Sequence, residues 1–544
     1  MKSLSKKSLV KKSTLKKLPV DVSNFALMIK KNYLYIDKTE IIHSLIDKRR
    51  LYFLSRPRRF GKSLLISTLK EIFSGNKKLF KDLWIGKHSG YAWPKHPVLH
   101  FDFSNLSLGT AHEFKESLFE TLDRMGKDNN IDVNNVTQLG SKLNNLIQDL
   151  SKKKSVAVLI DEYDAPLLAN LGDLEKAKAI QEVMKNFFSV LKSMDALGHI
   201  HAIFITGVTR FSKTSLFSGF NNLNDMTLEP EAATLLGYTK EELEHYFKDY
   251  IEQFAKEKNC TPQQMTDTIT QWYNGYRFSR DEHKVFNPFS VLHCFDKQNL
   301  ANYWLSTGTP GFLIELLKSH YGATEDIQGH TVSDQFLGSF ELGTLPLVPI
   351  LYQAGYLTLD TYNSQTQEYT LKYPNEEVSL SFKKYIVASL IQRDSRDVET
   401  ALSQIKNALE ENDLERFCTI LKSLIAGIPY QLHGKSEGYY HSLLHLIADM
   451  IGIDGRSEIT TSEGRIDFAV QTKSRIFVFE LKYNSTPQKA LDQIIQKNYA
   501  LKYERFKKPT TLVGIAFNAK RKEFSLDWRS LTKPEAKTGT SKGA

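Results

Sequence analysis

The sequence predicts an α/β protein: a parallel sheet covered on both faces by helices, then a helical region, then a second and smaller αβ domain. Three observations predict it. Short unbroken apolar runs alternate with helical patterns through the first part of the chain. The first of those runs leads into a Gly-Lys-Ser turn. Near the other end, a helix, a two-run hairpin, a further helix and a last apolar run follow in that order.

At 544 residues the chain is long enough for roughly three or four units. Hydrophobic residues at 41% and charged residues at 25% describe a globular protein with ample core. No apolar run approaches the ~20 residues of a membrane helix, so no membrane partner is expected. Of the net charge of +10, seven lysines (Lys2, Lys6, Lys7, Lys11, Lys12, Lys16 and Lys17) supply +7, unopposed by any acid, and the rest carries about +3. Residues 1–20 therefore read as a basic flexible tail, without the apolar core of a signal peptide or the arginines of a transit peptide. Weak attachment to nucleic acid is the alternative use of that arm. Three widely spaced cysteines, Cys260, Cys294 and Cys418, form no metal-ligand pattern and point to a reducing, cytoplasmic setting.

In chain order, the apolar runs are Leu51–Ser55, Val98–Phe103, Val156–Ile160, Ile203–Thr206 and, less clearly, Met226–Leu228. Unbroken runs of this kind suit a sheet buried on both faces. The stretch FLSRPRRFGKSLL, Phe53 to Leu65, joins the first run to a helix opened by Lys62. That strand–loop–helix order is the context a phosphate-binding loop demands, although Arg56 stands where the motif has its first glycine. Backbone N–H groups from Gly61, Lys62, Ser63 and Leu64 would face phosphates, favoured by the helix dipole. Lys62 would reach the terminal phosphates, the Ser63 hydroxyl would hold Mg²⁺, and Arg58 and Arg59 add positive charge nearby.

VAVLIDEYDAP, Val156 to Pro166, is an apolar run ending in paired acids. Asp161, at the carboxyl end of the strand, is placed to bind Mg²⁺ through water, and Glu162 to orient an attacking water. The bland alternative is an ordinary solvated strand end. One run later, in FITGVTRFSKTSLFSG, Thr206 stands at the strand tip as a sensor of the terminal phosphate, and Arg210 follows as a charge-stabilising finger.

Residues from about Thr400 to Leu424 have helical spacing and few breakers, a packed connector. SEGYYHSLLHLIADMIG, Ser436 to Gly452, reads as a helix capped by Ser436 and stopped by Gly452, with an apolar stripe through Tyr440, Leu444, Ile447 and Ile451. Glu437 falls on that stripe, where a carboxylate needs a partner or a metal; alternatively it sits in an exposed first turn, helped by the dipole. GRIDFAVQTKSRIFVFELKY, Gly464 to Tyr483, is two strands joined by a polar turn around Gln471–Ser474. Alternation puts Val478, Glu480 and Lys482 on one face of the second strand and sets Asp467 apart from Ile466 and Phe468 on the first. Two carboxylates and a lysine converging on one side is what hydrolysis of a phosphodiester needs. Asp467 and Glu480 would hold Mg²⁺, with the carbonyl of Leu481 as a further ligand, and Lys482 would steer the water. An exposed hairpin with a salt bridge between neighbours is the competing reading.

SRPRRFGKSLLISTLK, LIDEYDAP, ITGVTRFSKTSLFSG with NNLNDMTL, and WYNGYRF with VFNPFSVL resemble the bacterial AAA-ATPase-like family. GRIDFAV, FVFELKY, ALDQI, KNYALKY and LVGIAFN resemble the C-terminal PD-(D/E)xK nuclease-like domain that its members carry. The resemblance runs from about Tyr33 to about Asn518, and the family also writes its loop without the first glycine. It implies a P-loop NTPase sheet with a helical and winged-helix lid, joined to a restriction-endonuclease-like domain. It makes Asp467, Glu480 and Lys482 the catalytic set, Glu437 a helix carboxylate and Gln493 an accessory residue. WYNGYRF and NYWLSTGTPGFLIELL belong by resemblance to the lid and are assigned no chemistry.

The expected organisation is a tail at 1–20, the ATPase-like domain at 21–230, lid and winged-helix region at 231–385, connector at 386–428, nuclease-like domain at 429–525 and a flexible tail at 526–544. The expected cofactors are ATP and Mg²⁺. The expected partner is nucleic acid, DNA ahead of RNA, and a homo-oligomer is allowed. The expected activity is ATP binding with hydrolysis and Mg²⁺-dependent nucleic-acid cleavage gated by nucleotide. The rival is a nucleotide-controlled switch or scaffold that binds nucleic acid or a partner without cutting. ATP-driven movement along nucleic acid ranks last, because no helicase motif is present.

Overall fold

A computed structural model describes residues 15–531 except 49, 134–135, 212–215, 218–219, 221, 306–328, 339–340, 344–345, 392, 426–442, 445, 448–449, 452–455, 462–463, 507 and 519–522. The described residues fall into two compact units, the first within Met1–Phe312 and Asp326–Ser379, the second within Leu380–Ala544.

The apolar runs of the first unit become β1 (Leu51–Ser55), β2 (Val98–Asp102), β3 (Val156–Asp161), β4 (Ile200–Gly207) and β5 (Asn224–Asp225). They form one sheet in the order β2-β3-β4-β1-β5, every pair parallel. All residues of β1 and β3 are buried, as strands without alternation require when helices cover both faces. The fifth strand departs from expectation. It is the polar pair Asn224–Asp225 beside Tyr52 and Phe53, not Met226–Leu228. Met226 instead turns inward, 1% exposed, after donating its N–H to the Phe53 carbonyl. An edge strand is held by its backbone, so its apolar neighbours mark where the chain dives into the core.

Beyond the sheet, the helices Lys240–Tyr246, Lys248–Glu257, Pro262–Tyr273 and Pro288–Lys297 share a core with Leu34 and Ile36 through Leu243, Phe247, Ile251, Ile269 and Phe295. The WYNGYRF stretch is aromatic core: Tyr276 and Phe278 pack edge-on against Phe60 of the loop, ring centroids 4.8 and 5.3 Å away. Helix Leu347–Ala354 precedes β7 (Thr358–Asn363) and β8 (Glu368–Lys372), which with β6 (Thr331–Ser333) make a small antiparallel sheet in the order β6-β8-β7. Residues 17–20, expected within the basic tail, are packed instead. The Lys17 carbonyl accepts from Leu34 N–H, and Leu18 and Val20 pack on the helical core.

The second unit begins within helix Glu376–Leu390 and continues with helices Ser395–Glu410 and Leu414–Ile425. Its sheet runs β13-β12-β11-β10-β9, where β9 is Arg456–Thr461, β10 Gly464–Gln471, β11 Ile476–Tyr483, β12 Thr510–Asn518 and β13 Glu523–Leu531. Only β11 and β12 pair in parallel. The hairpin β10–β11 and the strand after it stand where the sequence puts them; β9 and β13 are additions. β13 also corrects the tail expected at 526–544, since the strand continues to Leu531. Of the stripe expected on the preceding helix, Leu444, Ile447 and Ile451 are buried, and Tyr440 lies outside the described residues. Cys260, Cys294 and Cys418 are free thiols. Among the described residues no helix is long and apolar enough to cross a membrane.

Candidate functional site

β1 delivers the loop at the carboxyl ends of the strands, where open α/β sheets bind ligands. Arg56, in the place of the missing glycine, is 1% exposed and turned away from the loop mouth. Its guanidinium donates to the carbonyls of Ser55, Thr227 and Ala232 at 2.8–2.9 Å and lies 4.2 Å over the Phe278 ring. Burial pushes it down to about 10. Arg56 is therefore a structural pin that ties the loop to the segment after β5.

Gly61 takes φ of +92°, a conformation that favours glycine, and caps helix Lys62–Phe73 with no side chain bonded to its first amides. A Cβ there would meet nothing within 4 Å, so the space before the helix is open. The Lys62 ammonium is buried and donates to the carbonyls of Arg56 and Pro57, both at 2.9 Å. Burial holds its pKa below the ordinary lysine value, while Glu162, Asp161 and Asp164 act in the opposite direction. Ser63 is exposed in the first turn, Leu64 is half-buried behind it, and Arg59, at φ +68°, is exposed over the Phe289 ring.

Asp161 ends β3 at 3% exposure and accepts from the Thr206 hydroxyl at 2.5 Å and the Glu162 N–H at 3.1 Å. The structure thus brings Lys62, Asp161, Glu162 and Thr206 together. Glu162, at φ +48°, has its pKa raised by burial, against the pull of Lys62. Arg210 is otherwise occupied: its guanidinium pairs with Asp225 at 2.7 Å and its N–H donates to Gln353.

Two residues here were passed over by sequence reasoning. Asp164, 1% exposed, accepts from Val208 N–H at 3.0 Å and from the N–H and hydroxyl of Thr209 at 2.6 and 2.5 Å, fixing the chain that leaves β4. Its signal was the second aspartate of DEYDAP. Glu377, fully buried, accepts from Ser290 hydroxyl and from the N–H groups of Tyr303 and Trp304 at 2.7–2.8 Å. The Trp304 indole in turn donates to the Arg58 carbonyl in the loop at 3.1 Å. No local pattern announces that role. An apolar cavity beside Gly61 is lined by Leu34, Ile36, Phe60, Leu64, Leu236 and Tyr238.

In the second unit, Glu480 on β11 is 2% exposed. Its Oε1 accepts from Lys482 Nζ at 3.2 Å and from the Gln493 amide. Glu480 stands opposite Gly514 on β12, and a Cβ on Gly514 would lie 2.2 Å from the Pro487 carbonyl. That close approach seats helix Pro487–Gln496 on the sheet and brings Gln493 to Glu480. Ala469 pairs with Val478, so position 467, two residues along the strand, stands on the face that carries Glu480. The Asp467 side chain and all of Glu437 lie outside what is described. Among the described residues no group of three or more His, Cys, Asp or Glu side chains gathers as a metal cage. Glu480 contributes a carboxylate oxygen donor, the kind Mg²⁺ accepts.

Comparison with known proteins agrees with this division. Residues 19–217 match the family described as predicted AAA-ATPase, and residues 435–525 match the PD-(D/E)XK nuclease superfamily. An uncharacterized protein in the vnfD 5′ region of Azotobacter chroococcum mcd 1 is 34% identical over 529 residues, spanning 95% of this chain and 98% of that protein. The chain belongs to the AAA-ATPase-like family with a C-terminal PD-(D/E)XK nuclease-superfamily domain. In this AAA-ATPase-like protein the first match covers the loop, the acids of β3 and all of β4; the second covers Glu480, Lys482 and Gln493. Among solved structures, the Aeropyrum pernix Orc1 protein in complex with DNA is similar at 10% identity and a TM-score of 0.25, over 68% of this chain and 96% of that one.

Proposed function

We propose that the first unit binds and hydrolyses ATP and that the second is a Mg²⁺-dependent nuclease whose cleavage of nucleic acid is gated by that nucleotide. The observation that carries the first part is the buried Lys62, whose ammonium is met by loop carbonyls beside an uncapped helix start and across from Asp161 and Glu162. A buried cation next to free first-turn amides is a phosphate site. Ser63 and Asp161 would hold Mg²⁺, Glu162 would orient the attacking water, and Thr206, hydrogen-bonded to Asp161, would sense the terminal phosphate. Arg59 adds charge at the mouth, and Arg210 would act on phosphate only after leaving Asp225. The apolar cavity beside Gly61 offers the nucleobase its place.

For the second part, Glu480 with Lys482 and Gln493 is the supporting arrangement. Asp467, Glu480 and the Leu481 carbonyl would hold Mg²⁺, with Glu437 nearby by family likeness; the ion, when bound, supplies a water acidic enough to attack at neutral pH. Lys482, 30% exposed beside a buried carboxylate, positions that water and offsets charge on the phosphate. Gln493 holds the Glu480 carboxylate in place. Gating is motivated by both sites lying on one chain.

The test is cleavage of a panel of DNA and RNA, single-stranded and duplex, with Mg²⁺ or Mn²⁺, with and without ATP, beside Lys482→Ala. Metal-dependent cleavage lost in the variant supports the nuclease, and cleavage indifferent to ATP and to Lys62→Ala removes the gating. Binding without any cleavage would instead assign the second unit to a nucleotide-controlled switch.

A further inference from the structure

Neither site uses the segment KKLFKDLWIGKHSGYAWPKH, Lys77 to His96, which links the loop's helix to β2. It holds five lysines against one acid, and aromatic residues punctuate it at Phe80, Trp84, Tyr91 and Trp93. In the fold those rings join into one row. Phe80 stacks on Phe25 in the core with centroids 4.6 Å apart and lies 5.0 Å from Trp93. From Trp93 the row passes to Tyr91 at 5.3 Å, to His43 at 6.0 Å, to Trp84 at 5.8 Å and to His88 at 6.0 Å. Phe25 and Phe80 are fully buried; Trp93, Tyr91, His43 and Trp84 are half-buried, and His88 is exposed.

The row is mounted rigidly. Asp37 accepts from the Trp84 N–H at 2.7 Å and from the Thr39 N–H and hydroxyl, and buried Thr39 accepts from Ile85 N–H at 3.0 Å. The Asp37 carboxylate is thus consumed by backbone and hydroxyl donors. Lys77, Lys78, Lys87 and Lys95 are exposed beside the rings and, among the described residues, take part in no ion pair. Lys81 meets only the exposed Asp82, at 3.8 Å. The 12-residue helix that starts at the phosphate loop ends just before this surface, so the two lie about 18 Å apart along it.

We propose that this surface binds single-stranded nucleic acid, its bases against the aromatic row and its phosphates on the lysines. Flat rings flanked by unpaired cations are the pairing that sequence-tolerant single-strand sites use, because every base has a stacking face and every linkage a charge. A duplex conceals its base faces and offers this row only its phosphates. The proposal rests on the nucleic-acid partner of the preceding reading but needs neither cleavage nor ATP. It adds a second grip on the substrate, on the ATPase-like unit.

The experiment is fluorescence anisotropy of the full-length protein with a labelled 20-residue oligo(dT), in EDTA and without ATP, so that an inactive nuclease leaves the result readable. The basic tail stays in every protein compared. Expected are salt-sensitive binding with quenched tryptophan fluorescence, weakening of tenfold or more in Lys77→Glu/Lys78→Glu/Lys87→Glu, and a salt slope smaller by about 2. Tyr91→Ala should weaken the single strand about fivefold or more and leave the duplex unchanged. Circular dichroism and the thermal midpoint check that both variants fold; the charge reversals touch only exposed side chains. Unchanged affinity in the triple variant overturns the proposal. So does equal weakening of duplex and single strand by Tyr91→Ala, or no nucleic-acid binding by the parent.

Discussion

The Lys62 ammonium lies 2.9 Å from the carbonyl of Arg56, the residue that stands where a phosphate loop has its first glycine. The two cations have opposite tasks. Arg56 spends its guanidinium on three carbonyls of the fold, whereas Lys62 holds carbonyls of the loop that a phosphate can replace. Arg56→Gly, which restores the common motif, should therefore harm the protein. It strips buried donors from Thr227 and Ala232 and should lower stability by about 2–4 kcal/mol in urea unfolding. Lys62→Ala, which sheds a buried cation along with its two loop carbonyls, should lower the unfolding midpoint less than Arg56→Gly and abolish ATP binding by calorimetry. Tighter ATP binding in Arg56→Gly would refute this division.

Glu377 predicts a pH dependence. Burial raises its carboxyl to about 7, against the pull of its three hydrogen bonds. With the folded pKa above that of the unfolded chain, the folded state binds the extra proton. Its stability contribution is whole below about pH 4.5 and is lost as pH rises through 7. Glu377→Gln keeps an acceptor for Tyr303 and Trp304 and cannot ionise. The variant should gain on the parent by up to about 3 kcal/mol between pH 4.5 and pH 7.5, read from the first-unit unfolding transition. A difference independent of pH would show that folding does not raise the Glu377 pKa.

What the sequence made legible follows from where each signal resides. β1, β3 and the hairpin β10–β11 could be read because burial on a face leaves an uninterrupted or alternating apolar record. The placement of Lys62 near Asp161 and of Glu480 beside Lys482 could be read because strand–loop–helix order and strand alternation fix such spacings. Arg56 and Glu377 could not, since each is a buried polar group whose partners are backbone or hydroxyl groups distant in the chain, up to 171 and 176 residues away for Arg56. Three of the edge strands were missed for a related reason. β5, β9 and much of β13 are polar or charged, as exposed edges tend to be, so Glu523–Leu531 resembles a tail until its pairing with β12 is seen.

Asp164 gives a prediction about the strand that carries Thr206. Asp164→Ala removes the acceptor for Val208 and Thr209 and leaves two buried N–H groups without it. The expected cost is about 2–4 kcal/mol. Because Thr206 precedes that chain by two residues, ATP hydrolysis should fall more than ATP affinity. Equal losses in both would argue that Asp164 serves folding alone.

The last prediction concerns Gly514. On β12 it faces Glu480, and the helix that carries Gln493 rests on its bare backbone, with the Pro487 carbonyl 2.2 Å and the Leu491 nitrogen 3.0 Å from where a Cβ would stand. Gly514→Val must lift the amino end of that helix, because backbone atoms cannot rotate aside as a side-chain tip can. Overpacking of this kind costs about 1–3 kcal/mol, and the sheet survives it through the pairing of β12 with both neighbours. The Gln493 contact to Glu480 should loosen, and with it the carboxylate's aim. Mg²⁺ should raise the thermal midpoint of the parent, by the linkage of a ligand that binds only the folded state. That rise should shrink in Gly514→Val and vanish in Glu480→Gln. If Gly514→Val retains the full Mg²⁺ shift, the helix does not position the metal-binding carboxylate.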